Sequence, residues 1–468
     1  MQNTKDLLTE PIPQTLLRFS APFVLTAFAQ MAYGLVDMMW IGRINAEAVA
    51  AVGLVGLLIW FGDALSLIGK NGMGVLVARY FGQARSRGKE GQALREGLLR
   101  RLSQGFQLSL LVALVYCLLG QALLAPFAGL YRLGETVYIY LIQYARVVFI
   151  GMIFKLMSVS YSQSYFSLGN SMVPFSINLV GLVLNMVLDP LLIFGAGPIP
   201  AMGVLGAGLA TSLSQALVLI LLIAYSRRRD PIDPLGLVGR ASLMVRPDWG
   251  LYREMVRIGF PMALMSLILC IISMITNQIL SGFGAIAVAV GALGTQIESI
   301  CWMTTEGLGS ALTSMVAQNI GAGQRKRVRD TVLVGCGISL AIGCFASFLF
   351  ILFGQNIFSI FMREREAILM GGTYLLIFAI QEPFMGLESA TSAIYAALGD
   401  TVFPSVASLV TNVARVPLAL LLIPLIGAPG VWLAMSLMGV LRSSLMGLGL
   451  WKKMRAYLKT GHLKGRTL

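Results

Sequence analysis

From residue 15 to residue 451 the chain is a succession of long apolar runs separated by short polar breaks. About 20 mostly apolar residues carry a helix across the hydrocarbon core of a bilayer. Twelve runs reach that length, at roughly 15–40, 48–72, 102–128, 136–160, 173–196, 204–226, 258–281, 285–313, 331–355, 367–396, 403–426 and 430–451. In hydrocarbon, every backbone N–H and C=O needs a partner within the protein, and a helix supplies it from its own segment. The pattern therefore predicts an all-α polytopic membrane protein with twelve transmembrane helices. Composition agrees, since 57% of the residues are hydrophobic and only 12% are charged, unlike a soluble domain. The opening MQNTKDLLTEPIPQ lacks the basic and apolar regions of a cleaved signal peptide, so the first run is expected to stay as a helix.

The net charge of +14 would suit a nucleic-acid partner only if it were clustered on a soluble face. Instead it follows the breaks. Basic residues crowd the break after the second run (Arg79, Arg85, Arg87, Lys89, Arg95, Arg100, Arg101), the sixth (Arg227, Arg228, Arg229, Arg240, Arg246) and the eighth (Arg325, Lys326, Arg327, Arg329). The tail adds Lys452, Lys453, Arg455, Lys459, Lys464 and Arg466. Breaks after odd-numbered runs are nearly bare. Under the positive-inside rule this predicts an inner (plasma) membrane protein with both termini cytoplasmic, no nucleic-acid partner, and the lipid bilayer as its surroundings.

The chain also repeats itself. RFSAP at 18–22 and RIGFP at 257–261 are offset by 239 residues (257 − 18), as are VARYFGQ at 77–83 and VAQNIGA at 316–322 (316 − 77). SLGN at 167–170 returns as ALGD at 397–400, and the Asn185 to Pro190 spacing returns as Asn412 to Pro417. Parallel repeats with an axis along the membrane normal are a transporter design. The expected organisation is an N-terminal lobe (1–226), a cytoplasmic linker (227–255) rich in Arg, Asp and Pro, and a C-terminal lobe (256–468) with a basic tail. Two pseudo-twofold-related six-helix lobes would enclose a central cavity.

Ionisable residues at membrane depth are functional candidates because each costs roughly 2.5–3.5 kcal/mol to insert. Asp37 and Asp189 have no basic residue nearby on their own runs, and Asn185 lies one turn before Asp189 on the same face. Pro190 frees the carbonyl of Met186 and bends the helix. That collects oxygens suited to Na⁺ or, on a buried carboxylate, to H⁺; the residues do not choose between them. A purely structural brace at a helix end is the alternative, weakened by Val416 standing at the repeat position of Asp189. Asp63 and Lys70, seven apart on one helical face, could satisfy each other as a structural pair, and the sequence does not settle their role. In the second half Glu298, Trp302, Glu306, Glu382 and Glu388 could line a cavity attractive to organic cations, or the glutamates could pair with Arg415 or Arg442. Cys117, Cys270, Cys301, Cys336 and Cys344 read as small buried hydrophobes.

At VDMMWIGRINAEAVAAVGL (36–54), NMVLDPLLIFGAGPIPAMGVLGAGLAT (185–211) and MVAQNIGAGQ (315–324) the sequence resembles the multidrug and toxic compound extrusion (MATE) transporters over essentially its whole length. The resemblance implies a secondary active exporter that couples H⁺ or Na⁺ influx to efflux of cationic amphipathic compounds by alternating access. It needs no cofactor beyond the coupling ion and works as a monomer. Carried over by motif, the cation site would comprise Asp37, Asn185, Asp189 and Thr211, the last supplied by the resemblance alone. Departures are Asn45 in place of glycine, Lys70, and the absence of an acid in MALMSLILC (262–270), where some members carry a glutamate.

Other classes fit less well. A flippase for a lipid-linked oligosaccharide or other lipid-like substrate should need clustered Arg or Lys, and only Arg146 and Lys155 qualify. An enzyme has little to work with, because the one histidine, His462, is in the tail. A channel has no need of two-lobed symmetry with an acid cluster in one lobe.

Overall fold

The computed structural model describes residues 7–87, 92–130, 135–195, 197–198, 200–229, 234–283, 285–362 and 364–460. These form thirteen helices and, among the described residues, no strand. In chain order they are α1 (Ile12–Gly42), α2 (Ala46–Ser86), α3 (Gln92–Leu130), α4 (Glu135–Ser167), α5 (Met172–Phe194), α6 (Gly203–Arg227), the short α7 (Pro234–Val238), α8 (Trp249–Ser281), α9 (Ala285–Gly321), α10 (Arg325–Phe361), α11 (Arg365–Leu398), α12 (Val402–Ile426) and α13 (Ala428–Thr460). Twelve of them are long, as the apolar runs require. Nine pass a strict test for length and apolar character among the described residues, and α11, bent by 48°, makes a tenth.

Some helix ends fall where the sequence carries a capping signal. Asn45 accepts the amide of Ala48 at 2.8 Å and opens α2. The repeated SLGN and ALGD tetrapeptides close α4 and α11 in the same way. Gly169 (φ 87°) and Gly399 (φ 70°) take the left-handed backbone that glycine adopts freely. The amides of Asn170 and Asp400 then turn back to the carbonyls of Tyr165 and Tyr395 at 2.9 and 3.0 Å, satisfying acceptors that a bare helix end would leave unpaired.

By packing, the described chain divides into two compact units. The first contains Leu25–Ala263 and the second Leu7–Val24 with Leu264–Leu468. Both boundaries fall within helices, in α1 just after Pro22 and in α8 just after Pro261. Two apolar clusters fill the first unit. One centres on Met73, Phe106, Tyr161, Tyr165 and Leu222, the other on Val55, Tyr144, Phe149 and Ile193. In the second unit Tyr374, Phe378 and Trp432 pack together, with ring centroids 4.6 and 5.0 Å from Tyr374.

One sequence expectation fails here, and one open possibility is not realised. Cys344 is exposed and Cys336 half-buried; both lie on α10, whose outer face also shows Leu340 and Phe345, so these thiols sit on an apolar surface rather than in the core. Asp63 does not pair with Lys70. Seven residues of helix rise about 10 Å, whereas α4 lies against α2 and brings Lys155 Nζ to 2.7 Å from Asp63 Oδ1.

Candidate cation site

The candidate site lies wholly within the first unit, on α1, α5 and α6. On α5, the one-turn spacing puts Asn185 and Asp189 on one face, and the Asn185 amide donates to Asp189 Oδ1 at 3.3 Å. Both side chains are fully buried. Asp37, also buried, comes from α1, and its carboxyl lies within hydrogen-bonding reach of Asp189. A turn further along α1, Trp40 packs edge-on against Phe194 of α5, with centroids 6.1 Å apart. This aromatic contact holds the two helices at the height where the acids meet.

Thr211 reaches the same level through helix register. Gly206 of α6 lies against the carbonyl of Leu192, and Gly181 of α5 lies against Val218. The helices run antiparallel, so Thr211 falls opposite about residue 187, between Asn185 and Asp189. Gly206 permits this closeness, since a Cβ there would stand 2.4 Å from the Leu192 oxygen.

One oxygen on each of the four residues is buried without a hydrogen-bond partner: Asp37 Oδ1, Asn185 Oδ1, Asp189 Oδ2 and Thr211 Oγ1. Buried polar atoms are normally satisfied, because leaving one unpaired costs about 1–3 kcal/mol. Two carboxyls and two neutral oxygens suit a small hard cation or a proton, and the pair of acids repels itself until one charge is neutralised. Ser214, three residues beyond Thr211, has an unpartnered buried hydroxyl as well. The sequence offered no signal for it.

The chain matches one family model, MatE, twice, over residues 22–191 and 261–421. The chain belongs to the MATE family. The two matches begin at Pro22 and Pro261, the same 239-residue offset found in the sequence repeat (261 − 22). The family is one of transporters, not enzymes.

Among curated relatives of this MATE protein, the "Probable multidrug resistance protein YoeA" of Bacillus subtilis is 26% identical over 396 residues, covering 84% of this chain and 82% of that one. The "FAD transporter" of Shewanella oneidensis is 26% identical over 436 residues, covering 91% and 90%. A crystal structure of MATE in the bent conformation matches with a TM-score of 0.87 at 21% identity, covering 98% of this chain and 99% of that one. The last likeness shows the shared twelve-helix fold.

In the second unit of this MATE protein the expected cavity residues separate into two environments. Glu298 accepts the Tyr374 hydroxyl, and Glu382, buried with Oε2 unpartnered, lies near Glu298 and Cys301. Glu388 instead forms a 2.8 Å ion pair with Arg442, one of the two basic partners anticipated. Arg415 turns to Asn412 Oδ1 at 3.3 Å. Trp302 and Glu306 are exposed. Tyr374 and Cys301 were invisible as site residues because nothing in a linear pattern reports a partner 76 or more positions away.

Proposed function

We propose that this protein is a secondary active multidrug exporter in which Asp37, Asn185, Asp189 and Thr211 bind the coupling cation, H⁺ or Na⁺. The observation that carries this reading is the set of four unpartnered buried oxygens from three helices. Cation binding neutralises the Asp37–Asp189 pair, and a state in which that pair separates is then stabilised less. Such differential affinity is what lets an ion gradient shift an inward–outward equilibrium. Export of cationic amphipathic compounds is supported by the multidrug names of curated relatives. The FAD-carrying relative indicates that the family fold accommodates chemically unlike cargo.

The test is efflux of ethidium from proteoliposomes under an imposed H⁺ gradient and, separately, an imposed Na⁺ gradient. Wild-type protein should respond to one of them, and Asp189→Asn should abolish that response. Undiminished gradient-driven efflux by the variant overturns the assignment.

A further inference from the structure

The ion pair between Asp63 and Lys155 leaves 41% of the Asp63 side chain and 27% of the Lys155 side chain exposed. Asp63 is deep in the span. Gly62 packs against Tyr116, Gly69 against Ser109 and Gly259 of α8 against Ile68. Lys70 is therefore level with Leu111 of α3 and Phe260 of α8, the first exposed aliphatic or phenyl side chains of those helices beyond the terminal Trp249, and Asp63 lies about 10 Å further in. An accessible ion pair at that depth faces water, because lipid would impose a heavy cost on both charges. The α2 face bearing Asp63 thus borders an aqueous space of the first unit.

Lys70 shares this face, since seven residues return a helix to within about 20° of its starting direction. It is half-buried and has no hydrogen-bond or ion-pair partner among the described residues. Lys155 already neutralises Asp63. Beside α2, α4 runs parallel, with Lys155 at the height of Asp63 and Gln163 at the height of Gly74. Ser162, seven residues beyond Lys155, is at about the height of Lys70 but is buried. Asp63, Lys155 and Lys70 together carry one negative and two positive charges, a net +1 (+2 − 1).

We infer that Lys70 recognises an anionic group on the transported molecule, a carboxylate in the first instance, so that the exporter favours amphipathic zwitterions over the same scaffold lacking its acid. Resting on the exporter reading above, this inference narrows its substrate class. The Lys70 ammonium would donate to the carboxylate at the edge of the aqueous space. Lys70 acts here as a specificity-determining residue, separate from the cation site on α1, α5 and α6.

The experiment compares gradient-driven transport of a zwitterionic fluoroquinolone and its carboxylate methyl ester in proteoliposomes. In wild-type protein, esterification should raise KM about tenfold. Lys70→Met should lower the zwitterion-to-ester ratio of kcat/KM by about the same factor, and Lys70→Arg should keep the ratio within about threefold of wild type. A change in KM below about twofold on esterification overturns the inference without any variant. An equal loss of both activities in Lys70→Met, with the ratio preserved, also overturns it and marks Lys70 as structural. Failure of wild-type protein to move either compound or ethidium under either gradient rejects the exporter reading instead.

Discussion

The Asn185 amide donates to Asp189 Oδ1 across a single turn of α5, at 3.3 Å, while Asn185 Oδ1 and Asp189 Oδ2 have no hydrogen-bond partner. The amide therefore orients the carboxylate without saturating it. Asn185→Ala removes one donor and one orphan acceptor, and should reduce the initial rate of gradient-driven efflux about tenfold, a loss worth about 1.4 kcal/mol. Asn185→Asp retains an oxygen but adds a third acid to the cluster, and should weaken coupling by a different route, raising the cation concentration range over which efflux responds to the gradient. Initial rates across a series of gradients separate the two effects.

In the second unit, the 2.8 Å pair of Glu388 with Arg442 retains about a fifth of its side-chain exposure. Removing one partner leaves the other charge mostly buried, a loss of about 3 kcal/mol in comparable pairs. Glu388→Gln and Arg442→Gln should each lower the detergent-solubilised melting temperature clearly, and the double variant should be more stable than either single one. A double-mutant cycle on thermal unfolding measures this coupling. If the pair were instead a cavity-lining acid with an incidental neighbour, the two single losses would add.

How much of this was legible beforehand depends on the reach of each interaction. The twelve long helices follow from runs of apolar residues, because lipid forces each run to satisfy its own backbone. Asp37 and Asp189 stood out because a charge in such a run is costly, and Asn185 because it lies one turn from Asp189; α1 and α5 bring the acids together. The possible Asp63–Lys70 pair is not realised, for the opposite reason. Both lay on one helix and looked self-sufficient, while the actual partner, Lys155, is 92 residues away on α4. Register between packed helices, as between Gly206 and Leu192, likewise has no signature within either segment. Local spacing found the helices and the lone charges, and only packing could assign their partners.

The helix stops at Gly169 and Gly399 give a direct test of the duplicated design. Both glycines have positive φ, at 87° and 70°, and a Cβ in that region costs about 1 kcal/mol. Gly399→Ala should lower stability by about that amount, while Gly399→Asn should cost less, because asparagine tolerates the left-handed region. The same ordering is expected at Gly169. Thermal unfolding of the four variants checks it, and equal losses for Ala and Asn at both positions would contradict the backbone explanation.

Asp248 couples a helix cap to an ion pair, and pH can pull the two apart. Its Oδ1 accepts the amides of Gly250 and Leu251 at 3.1 and 3.2 Å, capping α8, and Oδ2 accepts Arg100 Nε at 3.0 Å. The Arg100 guanidinium, followed by the cap amide of Leu251, holds the Asp248 carboxyl below its ordinary value of 3.8. A folded-state value lower than the unfolded one means that stabilisation is fully present above about pH 4 and is lost as pH falls through the lowered value. Asp248→Asn keeps a good capping side chain but discards the charge, so it should cost less than about 1 kcal/mol at pH 7, as befits a pair open to solvent. Asp248→Ala loses the cap too and should cost about 1 kcal/mol more. Followed by thermal unfolding from pH 7 to pH 3, the gap between wild type and Asp248→Asn should shrink, and the gap between Asp248→Asn and Asp248→Ala should persist. A wild-type advantage over Asp248→Asn that is unchanged at pH 3 would show that the carboxylate charge contributes nothing there.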